Sequence, residues 1–309
     1  SPVLIGTSSW SVVSAGLNNT VAIDSVGRLF VWGLNSSGQI GDGTTVSASS
    51  PVLIGTSSWS KVASLVSVTA AITTDGKLFT WGLAGNGALG NNSLTANRSS
   101  PVQLGTSSWS MVAAGTSYAI AAIDSVGRLF TWGSGISNNY NLGTLAPGAY
   151  TVTGTSSPVQ VASSASFSMV AVGYSHMMAI RSTVGSVGQL FGWGSGGSGN
   201  YGANGFDLQS SQLGYPVQVN TSYTVSSVST SWTIASMTKT AFAIDSNGRL
   251  FSWGANNTGQ LGDGTTITKY SPTQVGTSSW SKVASGMSNT LAIDSVGRLF
   301  TWGYGNPAG

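Results

Sequence analysis

Few side chains in this sequence are equipped for chemistry. The 309-residue chain has one histidine, His176, eight aspartates, no glutamate and no cysteine. A general acid–base pair would have to be drawn from those aspartates. Asp24, Asp75, Asp124, Asp245 and Asp294 stand just before a Gly-Arg/Lys-Leu-Phe run, and Asp42 and Asp263 sit in matching "GDGT" segments. These are turn contexts, in which an aspartate bonds its own backbone, so only Asp207 falls outside a repeated turn. A lone histidine assembles neither a hydrolase triad nor a metal site without thiolates or glutamates. "GNGALG" at 85–90 matches a dinucleotide fingerprint, but "NNSLTANRSS" follows it without the helical period that chemistry requires. No Gly-Lys-Ser/Thr phosphate loop occurs. The expectation is a protein that is not an enzyme, with no cofactor, no metal and no catalytic residue.

Charge excludes further classes. Charged residues are 6% of the chain and the net charge is +3. Arg28, Arg128, Arg249 and Arg298 each lie four positions from an aspartate, and no Lys/Arg run offers the phosphate contacts that drive nucleic-acid binding. No nucleic-acid partner is expected. The longest apolar stretch, Met111 to Ile123, is too short for a membrane span. Asn-x-Ser/Thr triplets begin at Asn18, Asn35, Asn91, Asn97, Asn220 and Asn256, as chance gives in a chain this rich in those residues.

The elements that must carry these residues are repeated. Trp-Gly pairs recur at Trp32, Trp81, Trp132, Trp193, Trp253 and Trp302, spaced 49, 51, 61, 60 and 49 residues apart. Each follows a Gly-Arg/Lys/Gln-Leu-Phe run such as "GRLFVWG". Before that comes an Ala-Ile segment, and "SSWS" stands further upstream at Trp10, Trp59, Trp109 and Trp280. The segments "WSKVAS", "TLAID" and "RLFTW" are short, apolar and β-branched, with Gly, Asn and Ser between them, so they read as strands. Asp-Ser-Val-Gly between the second and third reads as a tight hairpin with glycine at φ > 0. Gly27, Gly76, Gly127, Gly188, Gly248 and Gly297 are its candidate turn glycines.

Four short strands repeated six times at about 50 residues predict an all-β chain folded as a six-bladed β-propeller. "WSKVASGMSNTLAIDSVGRLFTWG" at 280–303 and "NNTGQLGDGT" at 256–265 resemble the repeat of the regulator of chromosome condensation family, and the resemblance covers essentially the whole chain. It implies a packing or hydrogen-bonding role for His176, where the related repeats here carry Asn19 and Asn289. It also suggests a secreted or phage-like member, given so few charges.

The chain opens "SPVLIGTSSWS" and repeats those residues at 50–60, which makes residues 2–5 an outermost strand with no blade before it. The last repeat ends "WGYGNPAG" without such a strand. The expectation is one domain over 1–309, with repeat units 7–56, 57–106, 107–163, 164–225, 226–277 and 278–309 plus 1–6. In it Val3 to Ile5 pairs with Leu299 to Trp302 and closes the ring. The rival expectation is a stretch of a longer array.

The repeats differ most after the third and fourth Trp-Gly pairs. The next proline comes 26 positions after Trp132 and 23 after Trp193, against 19 or 20 in the other units. The long loops, 134–157 and 195–215, are rich in Tyr, Ser, Gly and Asn, the composition of adaptable recognition loops. They join third to fourth strands and share a face with the first-to-second turns. Tyr140, Tyr150, Tyr201 and Phe206 are the candidate binding residues, with Tyr118 and His176 in or near those turns. The function expected is a structural and recognition propeller on an exterior assembly, such as a virion appendage or a bacterial cell surface. It would bind a protein or glycan and pack side by side with neighbours. The alternatives are nucleotide exchange on a small GTPase or a chromatin adaptor, both implied by the family, and a secreted inhibitor that grips an enzyme through one face.

Overall fold

The computed structural model describes residues 4–6, 8–64, 66–115, 118–134, 142–143, 154–183, 186–195, 212–219, 225–230, 240–286 and 288–304. They form six antiparallel sheets in chain order, numbered here as blades 1–6. Blade 1 comprises Trp10–Ala15, Asn19–Asp24, Leu29–Gly33 and Ala48–Leu53, paired in that order. Blades 2 to 5 repeat the four-stranded plan from Trp59 to Gln103, Trp109 to Val161, Ser166 to Gln218 and Val225 to Gln274. Each first strand neighbours the first strand of the following blade, so these strands are innermost.

Burial follows from that stacking. The second strands of blades 2, 3 and 5, Val68–Thr73, Ala119–Asp124 and Thr240–Asp245, are buried at every residue. A strand covered on both faces needs apolar residues throughout, and alanines let the neighbouring blades approach. The cores lie between blades: Val21, Ile23 and Leu29 of blade 1 pack with Trp59, Ala71 and Trp81 of blade 2. The two repeated tryptophans meet there, with Trp59 edge-on to Phe79 at 5.3 Å and 6.2 Å from Trp81. Trp109 with Phe130 and Trp280 with Phe300 repeat the edge-on pair at 5.2 Å.

At the second-to-third hairpin, Asp24 Oδ1 accepts the N–H groups of Val26 and Arg28 at 3.1 and 2.9 Å. The turn glycines have φ of +86° at Gly27, +85° at Gly76, +88° at Gly127, +79° at Gly248 and +88° at Gly297. The carbonyl of Gly27 accepts the N–H of Trp59, which ties the hairpin to the next blade. Gly188 departs from this pattern. Blade 4 has eleven residues from Ile180 to Leu190 where blade 1 has seven from Ile23 to Leu29, and the pairing runs on to Thr183 opposite Ser186. Gly188 therefore lies within the strand Ser186–Ser195 and not at a turn. We expect Gly297→Ala to cost about 1 kcal/mol in urea unfolding, because nothing crowds the new methyl and only the positive φ resists it.

The described residues show no pairing of the kind expected to close the ring. The sixth sheet has three strands, Trp280–Ser285, Asn289–Asp294 and Leu299–Gly303, and among the described residues no fourth strand pairs with the third. Leu4 and Ile5 lie outside any strand, and the carbonyl of Ile5 accepts Trp10 Nε1 at 3.2 Å. Val3 lies outside the described residues.

Candidate recognition face

One face of the blades is built by the first-to-second turns together with the start of each third-to-fourth loop. The N–H of Leu34 donates to the carbonyl of Asn18, Leu83 to Ser67, Ser134 to Tyr118 and Tyr304 to Ser288. Behind these contacts the loops of blades 1 and 5 have an internal hub. Asn35 Nδ2 donates to the carbonyls of Thr44 and Val46, both at 3.1 Å, while Asn35 Oδ1 accepts the N–H of Ile40 at 2.8 Å. Asn256 repeats this with Thr265, Ile267 and Leu261 at 3.0, 3.2 and 2.9 Å. Asp42 and Asp263 finish the loops by accepting the N–H and hydroxyl of Thr44 and Thr265. Asn35 and Asn256 are fully buried, so neither triplet is open to glycosylation in the folded chain.

The same loops clamp the following blade. The carbonyl of Gln39 accepts Thr69 Oγ1 at 2.8 Å and Trp81 Nε1 at 3.0 Å. The carbonyl of Gln260 accepts Thr290 Oγ1 at 2.8 Å and Trp302 Nε1 at 2.9 Å, and that of Ala88 accepts Trp132 Nε1 at 3.0 Å. The "GNGALG" segment thus serves this clamp; Gly85–Gly87 is a single 3-10 turn, and no helix for a phosphate follows.

Of the candidate binding residues, Tyr140, Tyr150, Tyr201 and Phe206 lie outside the described residues. Tyr118 is on this face, half-buried, with φ +61°. His176 opens the second strand of blade 4 and is completely buried beside Gly173, so it supports the turn from within and is not offered to a partner. Sequence reasoning missed Asn35, Asn256 and the clamp carbonyls. The signal available was the Trp-Gly-x-Asn-x-x-Gly-Gln-x-Gly spacing shared by blades 1 and 5.

The opposite face carries the aspartates and arginines of the hairpins. Arg28 Nε, Arg128 Nε and Arg298 Nε stand 2.6, 2.6 and 2.7 Å from Oδ2 of Asp24, Asp124 and Asp294, and Arg249 binds Asp245 in the same way. Each guanidinium also lies over the phenylalanine two positions on, between 5.6 and 5.9 Å from its centroid. Burial works against ionisation of Asp24 and Asp294, but the backbone and guanidinium N–H groups of Arg28 and Arg298, with the N–H of Val26 and Val296, outweigh it. Both carboxyls are held below their usual pKa. A lowered folded-state value stabilises the fold above the unfolded pKa, about 3.9, and that gain is lost as pH falls through the folded value. We therefore expect melting temperatures to fall below about pH 4, with Asp24→Asn flattening that dependence. A pH series of thermal melts checks it.

The described aspartates are thus committed to turns, and among the described residues no group of three metal-ligating side chains occurs. No helix in the described residues is long and apolar enough to cross a membrane.

Comparison with known proteins identifies the repeat. The sequence profile described as "Regulator of chromosome condensation (RCC1) repeat" matches residues 26–72, 75–122, 126–180 and 247–293, and a second RCC1-repeat profile matches 10–39. The chain is 30% identical over 159 residues to the ultraviolet-B receptor UVR8 of Arabidopsis thaliana, a match to 50% of this chain and 31% of that protein. It therefore spans less than a third of that relative's length. Its fold is similar to human WBSCR16, with a TM-score of 0.76 at 21% identity over 93% of this chain and 72% of that one. It is also similar to a chain in the structure of Kap60 bound to yeast RCC1 (Prp20), with a TM-score of 0.75 at 18% identity over 96% and 70%. This is an RCC1-type propeller, and the chain belongs to the regulator of chromosome condensation (RCC1) repeat family.

Proposed function

We propose that the chain is a non-enzymatic recognition propeller that binds a protein through the face carrying 134–157 and 195–215, in an exterior setting such as a virion appendage or bacterial surface. The observation that carries this reading is the contrast between fixed and variable loops. In blades 1 and 5 the third-to-fourth loop is pinned by the same asparagine hub, so the face has a rigid frame. In blades 3 and 4 the corresponding segments are longer and supply tyrosines among small polar residues. Rigid aromatic anchors among adaptable polar contacts suit protein recognition. The low charge of the chain favours the exterior setting.

The experiment is affinity capture from the native source, followed by calorimetry with the purified partner. Alanine at Tyr140, Tyr150, Tyr201 and Phe206 together should weaken binding at least 100-fold while the melting temperature stays unchanged. A footprint confined to the hairpin face would overturn the reading. Nucleotide exchange on a small GTPase is the second reading, supported by family membership. Release of a fluorescent GDP analogue from a GTPase, accelerated by this chain, would select it.

A further inference from the structure

Blade 2 departs from the other blades at its hairpin. In each of the others an arginine lies over the phenylalanine of the third strand, between 5.6 and 5.9 Å from its centroid: Arg28 over Phe30, Arg128 over Phe130, Arg181 over Phe191, Arg249 over Phe251 and Arg298 over Phe300. In blades 1, 3, 5 and 6 a buried aspartate holds that arginine in place. Blade 2 reads "TTDGKLF" at 73–79 instead. Thr73 takes the place of the buried aspartate, and its hydroxyl donates to Asp75 Oδ1. Asp75 stands at the exposed tip, and its Oδ2 pairs with Lys77 Nζ at 2.7 Å. Among the described residues no cation lies over Phe79, whose ring meets only the edge of Trp59 and, more distantly, nothing else aromatic.

This uncapped ring borders a cavity of about 370 Å³, walled by Ser57, Ser58, Thr74, Asp75, Lys77 and Gln103. Main-chain bonds set the walls. The N–H of Thr74 donates to the carbonyl of Ser58 at 2.9 Å, and Gln103 stands opposite Phe79 in the strand register. Gln103 Nε2 donates to the carbonyl of Gly105 at 3.0 Å, which orients the amide. Gln103 also lines a second cavity, of about 490 Å³, against Asn91, Trp109 and Phe130. Both volumes fall in the range of about 300–1,000 Å³ usual for small-molecule sites.

We propose that these two cavities form a binding site for a short neutral oligosaccharide. A sugar ring has one side of weakly positive C–H groups and a rim of hydroxyls. The negative face of an aromatic ring attracts the first. The rim needs groups that accept and donate together, and the ionised Asp75, the serine and threonine hydroxyls, the Gln103 amide and the Lys77 ammonium supply both. An anionic ligand suits the site less, because the charge of Lys77 is already matched by Asp75. The two cavities on either side of Gln103 give room for adjoining sugar units. The site lies at the hairpin face, away from 134–157 and 195–215, so it stands or falls independently of the protein partner proposed above.

The test is calorimetric titration of the full chain with maltose, cellobiose and N,N′-diacetylchitobiose. At least one should bind, with a Kd of about 1 mM or tighter. Thr73→Asp/Asp75→Val/Lys77→Arg rebuilds the hairpin of blades 1, 3 and 6 and brings an arginine over Phe79. It should weaken that binding about tenfold or more while the melting temperature is kept or raised. Should this variant fail to fold, Asp75→Ala at the exposed tip decides, with a several-fold loss expected. No binding of any of the three sugars overturns the proposal, and so does affinity that the folded variants leave unchanged. Binding of a neutral peptide at these residues, with none of the sugars bound, would assign the cavities to a protein ligand and overturn it as well.

Discussion

Gly82→Ala is expected to destabilise the chain by about 4 kcal/mol or more, enough to leave a large fraction unfolded at room temperature. Gly82 sits at φ +107°, and a methyl added there overlaps the carbonyl oxygen of Ser67 in the adjoining turn. Two penalties combine: a backbone conformation that L-residues rarely adopt, and a clash with main chain that cannot rotate aside. Gly33, Gly133, Gly194 and Gly303 meet the carbonyls of Asn18, Tyr118, Ser175 and Ser288 in the same way. This is why glycine follows the tryptophan. The measurement is urea unfolding of Gly82→Ala beside Gly297→Ala, whose methyl meets nothing within 4 Å. If Gly82→Ala falls within about 1 kcal/mol of the parent, the close approach is not what fixes this glycine.

Trp81→Ala should cost about 3–5 kcal/mol, the range for removing a large buried aromatic. The side chain is fully buried between blades 1 and 2, and its loss opens a cavity against Ile40, Val31 and Trp59. Trp81→Phe keeps most of the packing but removes one donor to the Gln39 carbonyl, which Thr69 still satisfies. Its cost should be nearer 1–2 kcal/mol. Trp32→Ala, at the half-exposed counterpart, should cost clearly less than Trp81→Ala. Equal losses at the two positions would mean that burial between blades is not the source of the energy.

What the sequence revealed and what it concealed divide by range. The strand pattern, the six Trp-Gly units and the hairpin glycines are written in adjacent residues, where turn chemistry and alternation act locally. The need for glycine at 82 is set by the carbonyl of Ser67, fifteen positions away, and no local rule reports such an approach. Asn35 looks like any surface Asn-x-Ser until Ile40, Thr44 and Val46 fold around it. Gly188 misled because a glycine at the usual distance from Leu-Phe suggested the usual turn, while the extra residues after Ile180 had lengthened the hairpin. The N-terminal "PVLI" reads as a strand on composition alone, while the described part of it, Leu4 and Ile5, lies outside any strand and bonds Trp10. The four loop aromatics are visible only as composition; they lie outside the described residues.

The carbonyl clamps run one way along the chain, and that gives the array a direction. A loop of blade 1 holds side chains of blade 2, and a loop of blade 5 holds those of blade 6, and among the described residues no such clamp runs from a later blade's loop back to an earlier blade's side chains. Fraying from the two ends is therefore unequal. Peeling off blade 6 frees the carbonyl of Gln260, a backbone oxygen that water readily solvates. Peeling off blade 1 strips the acceptor from Thr69 and Trp81, donors buried inside blade 2. Amide hydrogen exchange in such a one-dimensional stack advances inward from its weaker terminus, and here the polarity of the hydrogen bonds makes that the C-terminal one.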